Sequence, residues 1–300
     1  MTAMPQQKSA ELSDAELRAL VLQYRKQNWQ GIQTAQWQEQ IAEDILHDDG
    51  EAVLRAIAEF WTAPSGASVL DIGSGLGNFV VACRRHGFHA FGIEPDRIGQ
   101  GGRISSIQIA RRRLESQVFA VGVGEHLPFA DRSFDLVTMN QVMEHVSEQA
   151  AVLREALRVL KDGGAIYIAT PNYLRFYEPH YKIKWLPLLP KFLGRWYLRL
   201  RGRDPVLLEQ LTYTTNARLR ALFRGLGADY AVIDLHRETF LKKCAQLSFA
   251  SARSRFVGRM VRVPGLGPLI LRAVLRYWRI TEGGCEMMIV HRPKTTAAPC

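Results

Sequence analysis

The chain has 300 residues, 47% of them hydrophobic and 23% charged, with a formal net charge of +10. That composition excludes a disordered, collagenous or disulfide-stapled chain and suits one large α/β domain or two small ones. Four scattered cysteines, Cys83, Cys244, Cys285 and Cys300, include no C-x-x-C pair, so neither a zinc-ligand spacing nor a disulfide framework is present.

These read as thiols of a reducing cytoplasm, and the polar, acidic N-terminus lacks the basic start and apolar stretch of an export signal. A cytoplasmic protein is expected. Ser13 and Glu16 stand at capping-box spacing, with Leu12 and Leu17 placed as a hydrophobic staple ahead of a first helix. A second helical stretch runs from Thr34 to Phe60, with a break expected at Asp48-Asp49-Gly50, and Pro64-Ser65-Gly66 closes this prelude.

Beyond it, short apolar runs alternate with helices, the pattern of a parallel sheet with crossover helices. Strands are expected at 68–73, 89–94, 117–122, 134–139 and 164–170, with helices at 77–86, 103–115 and 147–160. A helix at 215–226 and strands at 229–235 and 286–291 complete a set of seven strands.

The positive charge is concentrated in two segments. Residues 173–210 hold eight Lys/Arg against three Asp/Glu, and 237–284 hold ten against two, leaving the remainder near −3. Both segments are also apolar and aromatic, and each is longer than an ordinary connection, as lids and binding surfaces often are. Arg259, Arg262, Arg272 and Arg276 interrupt the second, so a membrane span is not expected.

The chemistry begins at Val69-Leu70-Asp71-Ile72-Gly73-Ser74-Gly75-Leu76-Gly77. An apolar strand enters a glycine turn that lets the backbone approach a ligand, and a helix then presents its unpaired N–H groups. A dinucleotide fingerprint requires its third glycine at position 78, which is Asn78, so the NAD reading weakens. Glu94 ends the second strand about twenty residues after the turn, where a carboxylate can accept from both hydroxyls of a ribose. A tight strand-to-helix turn and a surface glutamate are the plain alternatives.

Further blocks follow in order: Gly124-Glu125-His126-Leu127-Pro128-Phe129, then Ser133-Phe134-Asp135, Asn140-Gln141 with Glu144-His145 behind them, and Leu160-Lys161-Asp162-Gly163-Gly164. The series resembles the class I S-adenosylmethionine-dependent methyltransferases, closely over about residues 66–172 and loosely over the last two strands. The resemblance implies an α/β Rossmann-like fold: a seven-stranded sheet with a reversed final strand and helices on both faces. It implies S-adenosyl-L-methionine as cofactor, with Asp71, Gly73, Ser74, Gly75 and Gly77 around the methionine moiety. Glu94, followed by Pro95, would hold the ribose, Gly124 and Glu125 would lie beside the adenine, and Asn140 and Gln141 would lie near the sulfonium. The family often has an acidic residue at the place of Val123, so the adenine would lose one side-chain acceptor here.

The expected units are an N-terminal helical cover at 1–64, a cofactor-binding core at 65–172 and an insertion or lid at 173–212. A core continuation at 213–236, a basic amphipathic insertion at 237–284, and a last strand and tail at 285–300 complete the chain. Methyl transfer needs a base when the acceptor is a hydroxyl or a protonated amine. His145 and His180 are the candidates, with Glu144 and Glu178 placed to orient them, although lone histidines and solvated carboxylates are commonplace. No metal-ligand cluster is visible in the sequence.

The segment from Glu178 to Arg203 is also similar to segments of methyltransferases of bacterial glycolipid and polysaccharide assembly. The expected activity is therefore O-methylation of a small-molecule, sugar or lipid-linked acceptor. The alternatives are N-methylation of an amine or RNA base, and a non-catalytic cofactor-binding or membrane-docking protein. Both basic segments suit an anionic membrane surface, which would place the protein at the inner face of the membrane. Phe256, Val257, Met260, Val261, Leu266, Leu269, Ile270, Leu271, Leu275 and Trp278 are the apolar side of the second segment, with Arg253, Arg255 and Arg279 among its charges. Nucleic acid is not expected, since no RNA-binding module accompanies them, and no pattern specifies an oligomeric state.

Overall fold

The computed structural model describes residues 12–46, 49–95, 103–114, 116–225, 230–246, 259–260, 262–281 and 284–291. Cys300, Arg253, Arg255, Phe256, Val257 and Val261, singled out in the sequence, lie outside them.

The capping box forms as expected. Ser13 Oγ accepts from the Glu16 N–H, and Glu16 accepts from the Ser13 N–H at 2.9 Å, starting α1 (Asp14–Asn28). Leu17 and Val21 of α1 bury against Ala42 of α2 (Ala35–Leu46), with Leu12 packed beside them. The expected helix from Thr34 to Phe60 is two helices, α2 and α3 (Asp49–Ala58). Gly50 lies inside α3 and marks a crossing: a Cβ there would overlap the carbonyl of Asn78, the first residue of α4 (Asn78–Arg85).

The core alternates β1 (Ser68–Ile72), α4, β2 (His89–Glu94), α5 (Ser106–Arg113), β3 (Phe119–Val121), β4 (Phe134–Asn140), α6 (Gln149–Val159) and β5 (Leu160–Pro171). It is followed by the hairpin β6 (Tyr177–Glu178) and β7 (Ile183–Lys184), then α7 (Lys191–Leu200), α8 (Val206–Gln210), α9 (Asn216–Arg224), β8 (Tyr230–Asp234), α10 (Leu235–Gln246), α11 (Gly267–Thr281) and β9 (Gly284–His291). The main sheet has the order β3-β2-β1-β4-β5-β9-β8. Its parallel part has five strands, not seven: β9 pairs antiparallel with both β5 and β8. The seven-stranded sheet with a reversed final strand that the resemblance implies is present, with β9 as the reversed strand between β5 and β8, while the parallel ladder itself joins only five strands.

Two further boundaries move. Residues 116–118 form a 3-10 turn, leaving β3 only three residues at the sheet edge. β5 starts at Leu160, because Leu160 pairs with Phe134 and the ladder shifts register before Ala165 pairs with Leu136. The Lys161-Asp162-Gly163-Gly164 stretch is that irregularity, with Gly163 at φ +79.

Alternate residues of each buried strand serve opposite layers. Leu70, Ile72, Val137, Met139, Ile166 and Ile168 pack on α6 and α9 through Val152, Leu153, Leu219 and Phe223. Val69, Leu136, Ala165 and Tyr167 face Ile57 of α3, Phe79 and Val80 of α4 and Ile107 of α5. Helices therefore cover both faces. Residues 181–208 have a small core of their own, in which Tyr181, Ile183, Trp185, Leu198 and Leu208 enclose Ile32 from the N-terminal helices.

Gly50→Ala is expected to destabilise the fold by about 1–3 kcal/mol, the scale of overpacking, because backbone and not a flexible side chain blocks the added methyl. A thermal melt that leaves the midpoint of the variant unchanged would contradict this crossing.

Candidate active site

The turn after β1 is built by three glycines in the left-handed region, Gly73 (φ +70), Gly75 (φ +52) and Gly77 (φ +78). It is tied to β2, since the Gly73 and Ser74 N–H groups both donate to the Ile93 carbonyl, at 2.8 and 3.1 Å. Around Gly75 a Cβ would meet nothing within 4 Å, so this backbone is open to a ligand. Gly77 serves packing instead, since it caps α4 and a Cβ there would press on Phe119 and Ala110.

A cavity of about 470 Å³ opens at the carboxyl ends of the strands. Its wall contains Asp71, Gly73, Ser74, Gly75, Glu94, Pro95, Gly124, Glu125, Asn140 and Gln141, so these expected cofactor residues converge. Gly77 is not part of the wall. The Glu94 carboxylate accepts from the Gly75 N–H at 3.1 Å and from the Ser106 hydroxyl at 3.0 Å, tying one oxygen to the turn and the other to the start of α5. Ser74 Oγ is buried with no hydrogen-bond partner, a donor and acceptor that a ligand can satisfy. Asp71 is fully buried and accepts from the Thr138 hydroxyl at 2.6 Å; burial pushes its carboxyl up to about 7.

Gln141, at the end of β4, sits at φ +58, a conformation that costs energy for a side chain bearing a Cβ. Its N–H donates to the Ala169 carbonyl at 2.7 Å, which fixes this turn at the cavity wall. Val123 also lines the cavity and is 43% exposed, so no carboxylate stands where the family often has one.

Sequence reasoning missed the contribution of the N-terminal helices. Tyr24, Arg25 and Trp29 of α1 and its cap, and Gly50 and Val53 of α3, form part of the wall. Arg25 lies 4.1 Å over the Trp29 ring and donates to Gln33 at 2.6 Å; burial lowers its guanidinium to about 10. No local motif marks these residues, because their helical spacing reads only as amphipathic packing.

At the far end of the wall stands His145, and the structure brings His180 to it with ring centroids 5.1 Å apart. His180 Nδ1 lies 2.8 Å from Glu178 Oε1, while Glu178 Oε2 accepts from the Tyr181 N–H at 2.6 Å. Glu178 is fully buried and the His180 side chain is 9% exposed. Glu144 is also buried; its Oε2 accepts from the Thr170 hydroxyl at 2.8 Å, and burial pushes its carboxyl up to about 7. One ligand atom from each of Glu144, His145 and His180 lies within 4.8 Å of the others. The sequence spacing shows no such grouping, which appears only in the fold. The 34 residues between His145 and His180 concealed it, since only folding brings the hairpin back over β4.

The volume lies within the range of small-molecule sites, and the open glycine turn, paired Glu94 oxygens and unpartnered Ser74 hydroxyl fit a ribose-bearing ligand such as S-adenosylmethionine. A family model described as a methyltransferase domain matches residues 45–234. An uncharacterized methyltransferase of Mycobacterium sp. (strain KMS) is 33% identical over 141 residues, 45% of this chain and 52% of that protein. A demethylmenaquinone methyltransferase of Thermotoga maritima is 33% identical over 127 residues, 40% of this chain and 53% of its own. The chain spans about half the length of these curated relatives. Among solved structures, Haemonchus contortus phosphoethanolamine N-methyltransferase 2, bound to phosphomonomethylethanolamine and S-adenosylhomocysteine, shares the fold. It aligns at a TM-score of 0.52 and 15% identity, covering 91% of this chain and 61% of that one.

Glu94→Ala is expected to weaken S-adenosylmethionine binding by about 1–3 kcal/mol, the scale for hydrogen bonds to a charged group. Calorimetry on the folded variant checks it, and unchanged affinity would remove Glu94 from the site.

Proposed function

Because the chain belongs to the class I S-adenosylmethionine-dependent methyltransferase family, we propose that it methylates a hydroxyl of a small-molecule, sugar or lipid-linked acceptor. The observation that carries this reading is the Glu178–His180 pair set against His145 at one end of the cofactor cavity. S-adenosylmethionine supplies a methyl group on a sulfonium and leaves as a neutral thioether, so a hydroxyl nucleophile still has a proton to lose.

His180 takes that proton. With Nδ1 engaged by Glu178, the ring turns Nε2 to the base role, and the buried carboxylate stabilises the imidazolium that forms. Trp29 stacks parallel to the His180 ring, with ring centroids 6.4 Å apart. Asp71, Ser74, Gly75 and Glu94 hold the cofactor, and Asn140 and Gln141 line the passage towards His145. Alignment of the two reactants by these walls supplies much of the acceleration.

A lipid-linked acceptor draws support from α7. Gly194 and Leu198 bury against Trp185 and Leu208, which leaves Phe192, Leu193, Trp196 and Leu200 exposed beside Lys191, Arg195 and Arg199. On α11 and its approach, Leu266, Leu269, Arg262, Arg272 and Arg276 are exposed as well. Aromatic and basic residues on one face suit an anionic lipid interface, each cation adding about 1 kcal/mol near the surface. Among the described residues no helix is long and apolar enough to cross a membrane.

Two outcomes are expected. His180→Ala and Glu178→Gln should each lower kcat by at least about tenfold, within the usual range for losing acid–base catalysis, while cofactor affinity stays near that of the wild type. Equal turnover by the His180 variant, assayed by labelled-methyl transfer to lipid and sugar extracts, would reject the base. Product analysis separates O- from N-methylation. In flotation assays, Phe192→Ser/Trp196→Ser should bind phosphatidylglycerol vesicles more weakly than wild type, and added salt should weaken both. Failure of the wild type to float at low salt would remove the membrane from this reading.

A further inference from the structure

We infer that Glu144, His145 and His180 form a site for a divalent transition-metal cation beside the cavity wall, to which His145 contributes. The inference deepens the reading above, because it rests on the acceptor hydroxyl meeting the same histidines. Two imidazole nitrogens and one carboxylate oxygen lie within 4.8 Å of one another, a donor set suited to zinc and neighbouring first-row metals.

Two observations independent of that spacing support an ion. Glu144 is fully buried, and its Oε1 has no hydrogen-bond partner although Oε2 is held by Thr170. A buried carboxylate oxygen left unanswered is costly, and a cation answers it. His180, in turn, has Nδ1 on the buried Glu178 carboxylate, whose other oxygen is fixed by the Tyr181 amide. This carboxylate–histidine arrangement sets the tautomer and ring orientation of a metal-bound imidazole and leaves Nε2 as the coordinating atom. Glu144 is anchored too, since its carbonyl accepts from the Thr212 N–H at 2.7 Å.

Three protein ligands leave a coordination position for the acceptor oxygen, as in catalytic zinc sites. Coordination lowers the pKa of the hydroxyl. The hydroxyl proton passes to water, the oxygen forms its bond to the methyl carbon as the carbon–sulfur bond breaks, and the metal keeps its oxidation state. With the cation in place, His180 Nε2 holds the metal instead of taking the proton.

The test uses the untagged full chain, stripped with chelator and titrated with Co²⁺ and then Zn²⁺. One Co²⁺ per chain is expected, with a ligand-field spectrum of nitrogen and oxygen coordination that Zn²⁺ abolishes. His145→Ala and the near-isosteric Glu144→Gln should each weaken Zn²⁺ binding at least about tenfold by calorimetry, and Glu178→Gln about 10–100-fold, the usual range for an outer-shell partner. His86→Ala, at an exposed histidine elsewhere, should leave it unchanged. Circular dichroism confirms that each variant is folded. Absence of the cobalt spectrum, or Zn²⁺ affinity that survives both His145→Ala and Glu144→Gln, would overturn the site. Methyl transfer that persists in chelator but is lost in His180→Ala would also overturn it, while leaving His180 as the base. Loss of Zn²⁺ binding in the variants, with transfer restored to the stripped wild type by Zn²⁺, supports it.

Discussion

The reversal of winding direction at β1 shapes everything that binds. From β1 the chain crosses to β2 and β3 on one side and later to β4 and β5 on the other, giving the order 3-2-1-4-5. Connections leaving β1 and β4 therefore diverge, and a crevice opens between their carboxyl ends that neither can fill. The glycine turn after β1 and the strained turn at Gln141 after β4 are its two lips. Glu94 enters from β2 and Glu125 from the loop after β3, so four successive strand ends meet in one cavity.

Burying acids this close to an apolar sheet costs free energy unless each is answered by a donor. Asp71 has the Thr138 hydroxyl, and Glu178 has an amide on one oxygen and an imidazole on the other. Glu144 has a donor for only one of its oxygens. The contrast separates the two ends of the cavity. At the glycine turn the unpartnered group is a hydroxyl, Ser74 Oγ, which can meet a polar ligand; beside His145 it is a carboxylate oxygen, Glu144 Oε1, which only a proton donor or a cation can answer.

The cofactor half was legible in the sequence because its parts are local. Val69 to Gly77 encodes strand, turn and helix start in nine consecutive residues, and Glu94 follows at a distance set by one helix and one strand. The direction of β9 is not written in its own apolar run, which looks the same read either way along the sheet; its reversal was implied only by the resemblance of the whole motif series. The packing role of Gly77 was hidden because its neighbours, Phe119 and Ala110, come from elements more than thirty residues away. For the acceptor half, residue types could be named but not their meeting. Glu178 and His180 lie in a two-strand hairpin whose placement depends on Tyr181 and Trp185 packing into the core of the insertion.

That insertion does not stand over the cavity alone. Ile32 is buried in its core, the Gly31 carbonyl accepts from the Asp204 N–H at 2.8 Å, and Gln33 donates to the His180 carbonyl. Trp29 completes the link: one tryptophan lines the cofactor cavity, carries Arg25 on its ring and stacks parallel to His180. The N-terminal helices and the insertion are thus held together by the burial of Ile32, a few neutral hydrogen bonds and one aromatic pair, each of the latter worth on the order of 1 kcal/mol, so the two walls keep their register. Since the same tryptophan lines the cavity and stacks on His180, a change in the cavity wall at Trp29 bears directly on the mounting of His180.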